Sequence, residues 1–124
     1  MKLYGDFFKI EEFTLRDAGF DATITVDPKH VIYQGHFPRS PVTPAVIHLR
    51  IIEELLERHL EKSLSILKTN SSKFLAIHDP SVSSQIVLSV QIVEQEDSIK
   101  VRAEGKNMGG DLFRAALEFE ENID

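Results

Sequence analysis

One stretch of this chain has the apolar spacing of a helix, and nearly everything around it alternates like strand. Between residues 44 and 60 apolar side chains recur at Ala45, Leu49, Ile52, Leu56 and Leu60, widened by Ile51 and Leu55, close to the 3.6-residue period. Arg58 and His59 near the end of that stretch suit the negative pole of a helix dipole. Upstream, residues 7–13 (Phe7, Phe8, Ile10, Phe13) and 20–26 (Phe20, Ala22, Ile24, Val26) alternate or nearly so, and Asp27-Pro28 closes the second run. Residues 31–43 read as loop. Downstream, Leu64 to Ile77 is strand-like with an interruption at Asn70-Ser71-Ser72. Residues 84–95 and 98–107 alternate, and Leu112 to Phe119 follows a turn at Gly109-Gly110-Asp111. A lone helix is too little to cover both faces of a parallel sheet. The order therefore predicts an α+β arrangement, an antiparallel sheet curled around one long central helix. Such a layer leaves a sheet edge and apolar surface uncovered, so a homodimer or higher homo-oligomer is expected.

The helix is entered through Gly35-His36-Phe37-Pro38-Arg39-Ser40-Pro41-Val42-Thr43-Pro44-Ala45-Val46-Ile47. Pro38, Pro41 and Pro44 each fix φ and push the preceding residue out of the α region, which leaves this loop few shapes. Thr43 stands where an N-cap belongs, with Pro44 at the first helical position. A stiff loop, an imidazole and the bare N–H groups of a helix start are the parts of a site for chemistry on a carbonyl compound.

Composition removes several other readings. The 124 residues suffice for one domain, taken as 1–124. A net charge of −6 argues against a nucleic-acid partner, which needs a basic face. The chain has no cysteine, so no disulfide framework and no thiolate chemistry, and a cytoplasmic location is the expectation. Its first residues lack the apolar core of a leader, and no apolar run approaches a membrane span. His30, His59 and His78 are scattered without ligand spacing, so no metal is expected. His48 falls toward the apolar side of the helix and reads as a satisfied, partly buried histidine. Arg50 shares a helical face with Glu54, Glu57 and Glu61, the pattern of a solvated stripe with i,i+4 pairing.

Gly35-His36-Phe37-Pro38, then Pro41-Val42, then Pro44, leading into a helix after two strands, resembles the 3-hydroxyacyl-acyl carrier protein dehydratases of hot-dog fold. Their signature reads roughly His-Phe-Pro-Gly-x-Pro-(Val/Ile)-x-Pro-Gly-Val, and the resemblance extends over essentially the whole chain. It implies dehydration of a 3-hydroxyacyl thioester, carried on the phosphopantetheine of acyl carrier protein, to the trans-2-enoyl product. It also implies His36 as the base that removes the proton next to the thioester carbonyl, for which an ordinary imidazole pKa of ~6.5 is well placed. The backbone N–H of Ala45, in the family's glycine position, would donate to the oxyanion. Phe37, Pro44, Val46 and Arg39 would line the substrate. No cofactor is implied. A basic patch of Arg39 with Lys29 or Arg102 would meet the acidic carrier.

Two positions depart from the family pattern. Arg39 replaces a preferred glycine, and Arg50 occupies the place of an acidic side chain fourteen positions after the histidine. A guanidinium has only donors and a pKa above ~12, so it is no ordinary general acid. Glu53 and Glu54 lie one turn further along, displaced by ~5 Å. Three readings of Arg50 stay open: a hydrogen-bond donor to the leaving hydroxyl with water, Glu53 or Glu54 delivering the proton; a binder of an anionic group; or the mark of an inactive half of a pair. Two other functions stay open with them, a hot-dog acyl thioesterase and a non-catalytic carrier-binding or partner subunit.

Overall fold

A computed structural model describes residues 2–34 and 41–123. The described strands form one antiparallel sheet in the order β1-β2-β4-β5-β6-β3, with β1 at Phe8–Arg16, β2 at Gly19–Val26 and β3 at Leu64–Phe74. β4 runs Gln85–Glu94, β5 Ile99–Asn107 and β6 Gly110–Glu121. A four-residue helical turn, α1 (Val31–Gln34), precedes the long helix α2 (Ala45–Leu60). This is the α+β arrangement, one antiparallel sheet with one long helix, that the element order predicts.

The alternation seen in the sequence is the alternation of burial. Phe20, Ala22, Ile24 and Val26 of β2 face inward, as do Ile86, Leu88 and Val90 of β4. Ile99, Val101 and Ala103 of β5 and Phe113, Ala115, Leu117 and Phe119 of β6 complete the apolar face. Ile47, Ile51, Ile52, Leu55 and Leu56 of α2 press into it. Non-directional burial of this one stripe against one sheet face is what holds the helix in place.

Three local expectations are corrected. Val31–Gln34 is helical and not loop, and it brings Tyr33 into the core. β3 passes through Asn70-Ser71-Ser72 without a break, and the polar triplet is absorbed as a register shift between Thr69 and Ser71. Pro44, not Thr43, is the N-cap of α2, with an extended backbone and no side-chain cap.

Gly19 follows the two-residue turn that joins β1 to β2, at φ +156°, and a Cβ there would lie 1.9 Å from the Val90 carbonyl oxygen. The atom it meets is backbone, so no side chain can turn aside to relieve the contact. Gly19→Ala is expected to lower the unfolding free energy by about 2–3 kcal/mol, read from the urea midpoint.

β3 forms one border of the sheet and β1 the other. The β3 border carries exposed Leu67 and Phe74, followed by exposed Leu75 and Ile77. An unpaired edge with apolar side chains is a template for another strand.

Candidate active site

His36, Phe37 and Arg39 fall outside the described residues. The site is therefore built from what brackets that segment and from the helix that follows it. Tyr33 stands just before the segment and Thr43 just after it, and their hydroxyls meet at 2.7 Å. Thr43 Oγ1 also lies 2.7 Å from His78 Nδ1, and its backbone N–H donates to the His78 carbonyl at 3.0 Å. His78 Nε2 is 2.7 Å from the Ser83 carbonyl oxygen.

The directions of these bonds follow from the last one. A carbonyl oxygen only accepts, so Nε2 carries the hydrogen and, in the neutral ring, Nδ1 is the acceptor. Thr43 then donates to His78, and Tyr33 donates to Thr43. Burial lowers the His78 pKa, which keeps the ring neutral and the chain polarised in one direction. Burial likewise pushes the Tyr33 phenol up to about 12, so it remains a donor. Both ends of the segment that carries His36 are thus tied to each other and to the β3–β4 connection.

This use of Thr43 explains why it does not cap α2. With its hydroxyl engaged elsewhere, the N–H groups of Ala45 and Val46 meet no acceptor among the described residues. Ala45 is exposed, so its amide is open to a ligand. Pro44 is partly buried beside it.

Val46, Arg50 and Glu53 follow at i, i+4 and i+7 on the outward side of the same helix. Val46 is 69% exposed, an apolar side chain left uncovered directly after the open amide. The Arg50 guanidinium hydrogen-bonds Glu53 Oε1 and pairs with Glu54 Oε2 at 3.1 Å. A cavity of about 280 Å3 lined by Lys2, Tyr4, Arg50, Glu54, Glu57 and Arg58 opens beside it.

The solvated stripe expected through Arg50 and Glu54 is not what forms. Glu54 is only 4% exposed, and its carboxylate accepts from Leu3 N–H at 3.0 and 2.7 Å and from Tyr4 N–H at 2.7 Å. It is a latch for the chain's first residues. Nothing in the local pattern marks that role, because the partners lie fifty positions away.

His48 occupies the inner side of α2, as its place on the helical wheel predicts, but it is buried more deeply than expected at 4% exposure. Its ring packs on Phe113 at 4.9 Å and Phe74 at 6.0 Å, with His78 at 6.1 Å. Among the described residues its contacts are these rings. Burial, with a smaller push from His78, lowers its pKa to about 3.

Lys29 lies exposed in the turn before α1, and Arg102 sits on the outward side of β5. Among the described residues no three His, Cys, Asp or Glu side chains are grouped to hold a metal, and no helix is long and apolar enough to cross a membrane.

A family model described as ApeI-like, ApeI dehydratase, matches residues 13–110. Among solved structures, the chain is similar to the dehydratase heterocomplex ApeI:P from Xenorhabdus doucetiae, with a TM-score of 0.72, 15% identity, and coverage of 90% of this chain and 96% of that one. It is also similar to an uncharacterized protein from Erwinia carotovora subsp. atroseptica, with a TM-score of 0.70, 15% identity, and 93% and 94% of the two chains covered. A hypothetical thioesterase with coenzyme A from Streptococcus pneumoniae TIGR4 aligns with a TM-score of 0.65 at 12% identity, covering 93% and 85%. No curated protein matches the sequence. At these identities the structural likenesses speak for the hot-dog fold.

Proposed function

The chain belongs to the ApeI-like dehydratase family, and from that premise we propose that it dehydrates 3-hydroxyacyl thioesters of acyl carrier protein to trans-2-enoyl thioesters. The observation that carries the reading is the uncapped start of α2. An open amide at Ala45 directly follows the segment holding His36, and an exposed Val46 and a charged Arg50 continue along the same helix.

In this reading His36 takes the proton from C2 of the acyl chain. Negative charge then builds on the thioester oxygen, which accepts from the Ala45 N–H at the positive end of the helix. The C3–O bond breaks and the hydroxyl leaves as water. Pro44 and Val46 give the apolar wall for the acyl chain, with Phe37 and Arg39 contributed by the neighbouring segment. No cofactor is needed for proton transfer and loss of water. A second copy of the chain adds its own β3 along the uncovered β3 border, which would bury Leu67 and Phe74 and place two sites at the junction.

A second reading, pairing with a different hot-dog chain, draws support from two facts. Arg50 stands where the family pattern puts an acid, and the similar ApeI:P dehydratase is a heterocomplex.

The test is turnover of purified protein on 3-hydroxyacyl carrier thioesters, followed by enoyl absorbance and by free thiol. Enoyl product without thiol release is expected, and His36→Ala should slow it at least ~100-fold. Thiol release without enoyl product would assign hydrolysis instead. No turnover by the lone protein, restored by a carboxylate-bearing hot-dog chain, would assign the paired reading.

A further inference from the structure

Two carboxylates of α2, Glu53 and Glu54, pair with the Arg50 guanidinium, a third, Glu57, follows one turn after Glu53, and the three are not equivalent. Glu54 accepts from the Leu3 and Tyr4 amides as well as from Arg50. Glu57 accepts from the Leu64 N–H at 2.9 Å. Glu53 has Arg50 as its one partner among the described residues, and its side chain is only 12% exposed. Backbone N–H groups thus engage Glu54 and Glu57, whereas no backbone amide among the described residues engages Glu53. Burial raises the pKa of Glu53 against the pull of Arg50, and the negative charges of Glu57 and Glu54 push it the same way. Of the three, Glu53 is the carboxyl held by a side chain alone among the described residues.

Its place on the helix matters as much. Glu53 continues the line of Val46 and Arg50 along one side of α2, one turn beyond the position where the family pattern places an acid. Arg50 reaches along that line and hydrogen-bonds the Glu53 carboxyl, coupling the family's acid position to a carboxyl group three residues away.

We propose that Glu53 is the proton donor to the departing C3 hydroxyl, with Arg50 as the positioning residue that holds it and stabilises the carboxylate left behind. This rests on the dehydratase reading. The step balances: the C2–H proton goes to His36, its electron pair forms the C2–C3 double bond, and the C3–O pair leaves with the hydroxyl. That oxygen takes the Glu53 proton and departs as water. Solvent then returns a proton to Glu53 and removes one from His36. Loss of the hydroxyl needs this acid, whereas loss of a halide does not, because chloride leaves unprotonated.

The experiment compares 3-hydroxyacyl and 3-chloroacyl carrier thioesters, each above its spontaneous elimination. With the wild-type protein the hydroxyl rate should fall as pH rises through the titration of the acid, while the chloride rate does not. Glu53→Gln should slow hydroxyl loss about 100-fold and leave chloride loss within about threefold. Glu57→Gln should alter neither. Equal slowing of both substrates, or no slowing of either, overturns the assignment of Glu53. Should Glu53→Gln fail to fold, the two wild-type pH profiles decide alone, and parallel profiles overturn the proposal. A wild-type protein inert on the hydroxyacyl substrate but active on the chloroacyl one also overturns it. Inertness on both overturns the dehydratase reading, and Glu53 with it.

Discussion

Between pH 7.5 and pH 5 the protein is expected to lose about 2 kcal/mol of folding stability through His48 alone. The ring is buried against Phe113 and Phe74, and its pKa in the folded chain is lowered to about 3, first by burial and then by His78. In the unfolded chain the same ring titrates near ~6.5. A base with a depressed folded pKa binds its proton more readily when unfolded, so acid favours unfolding. The stabilisation is whole above about pH 6.5 and drains away as pH falls toward 3, where the loss reaches about 4 kcal/mol. His78, also lowered by burial, adds to the loss with the same sign. Urea midpoints measured from pH 7.5 to 4.5 would show the slope. His48→Leu keeps an apolar side chain against the two phenylalanines and should flatten the curve by about 2 kcal/mol at pH 5. An unchanged slope in that variant would refute the assignment to His48.

Glu54→Ala is expected to cost about 3–5 kcal/mol, the loss seen when one partner of a buried charged network is removed. The carboxylate is the acceptor for the amides of Leu3 and Tyr4 and a partner of Arg50, all on or beside the apolar core. Without it two buried or half-buried N–H groups lose their acceptor, and Leu3 and Phe7, both fully buried, lose the anchor that holds them. Glu54→Gln keeps one accepting oxygen and should lose roughly half as much. Hydrogen exchange gives the local readout: in the alanine variant the Leu3 and Tyr4 amides should exchange at rates set by local opening. A loss below about 1 kcal/mol would show that the N-terminal residues are held by packing alone.

What the sequence made visible followed from short-range pattern. Period-two burial in β2, β4 and β5 and the 3.6-residue stripe of α2 are local signals, and they were enough to choose a sheet wrapped on a helix. His48 was placed on the inner side by the same geometry. Two of the misreadings share a cause, which is competition for a polar group by a distant partner. Thr43 has the sequence position of an N-cap, but Tyr33 and His78 take its hydroxyl, and the helix starts one residue later. Glu54 belongs to a charged i,i+4 pattern, yet backbone amides fifty residues upstream draw it into the core. Asn70-Ser71-Ser72 resembles a break because its residues are poor strand formers, but the pairing of β3 with β6 carries them through as a bulge. Arg50 was legible as a departure. Which neighbouring carboxyl it serves depended on the partners of Glu53 and Glu54, and no spacing rule encodes those.

The bond between Tyr33 and Thr43 spans ten positions and joins the doorposts of the 35–40 stretch rather than anything within it. Threshold and contents are thereby separable. Residues between the posts can be exchanged without touching the Tyr33–Thr43–His78 chain of hydrogen bonds.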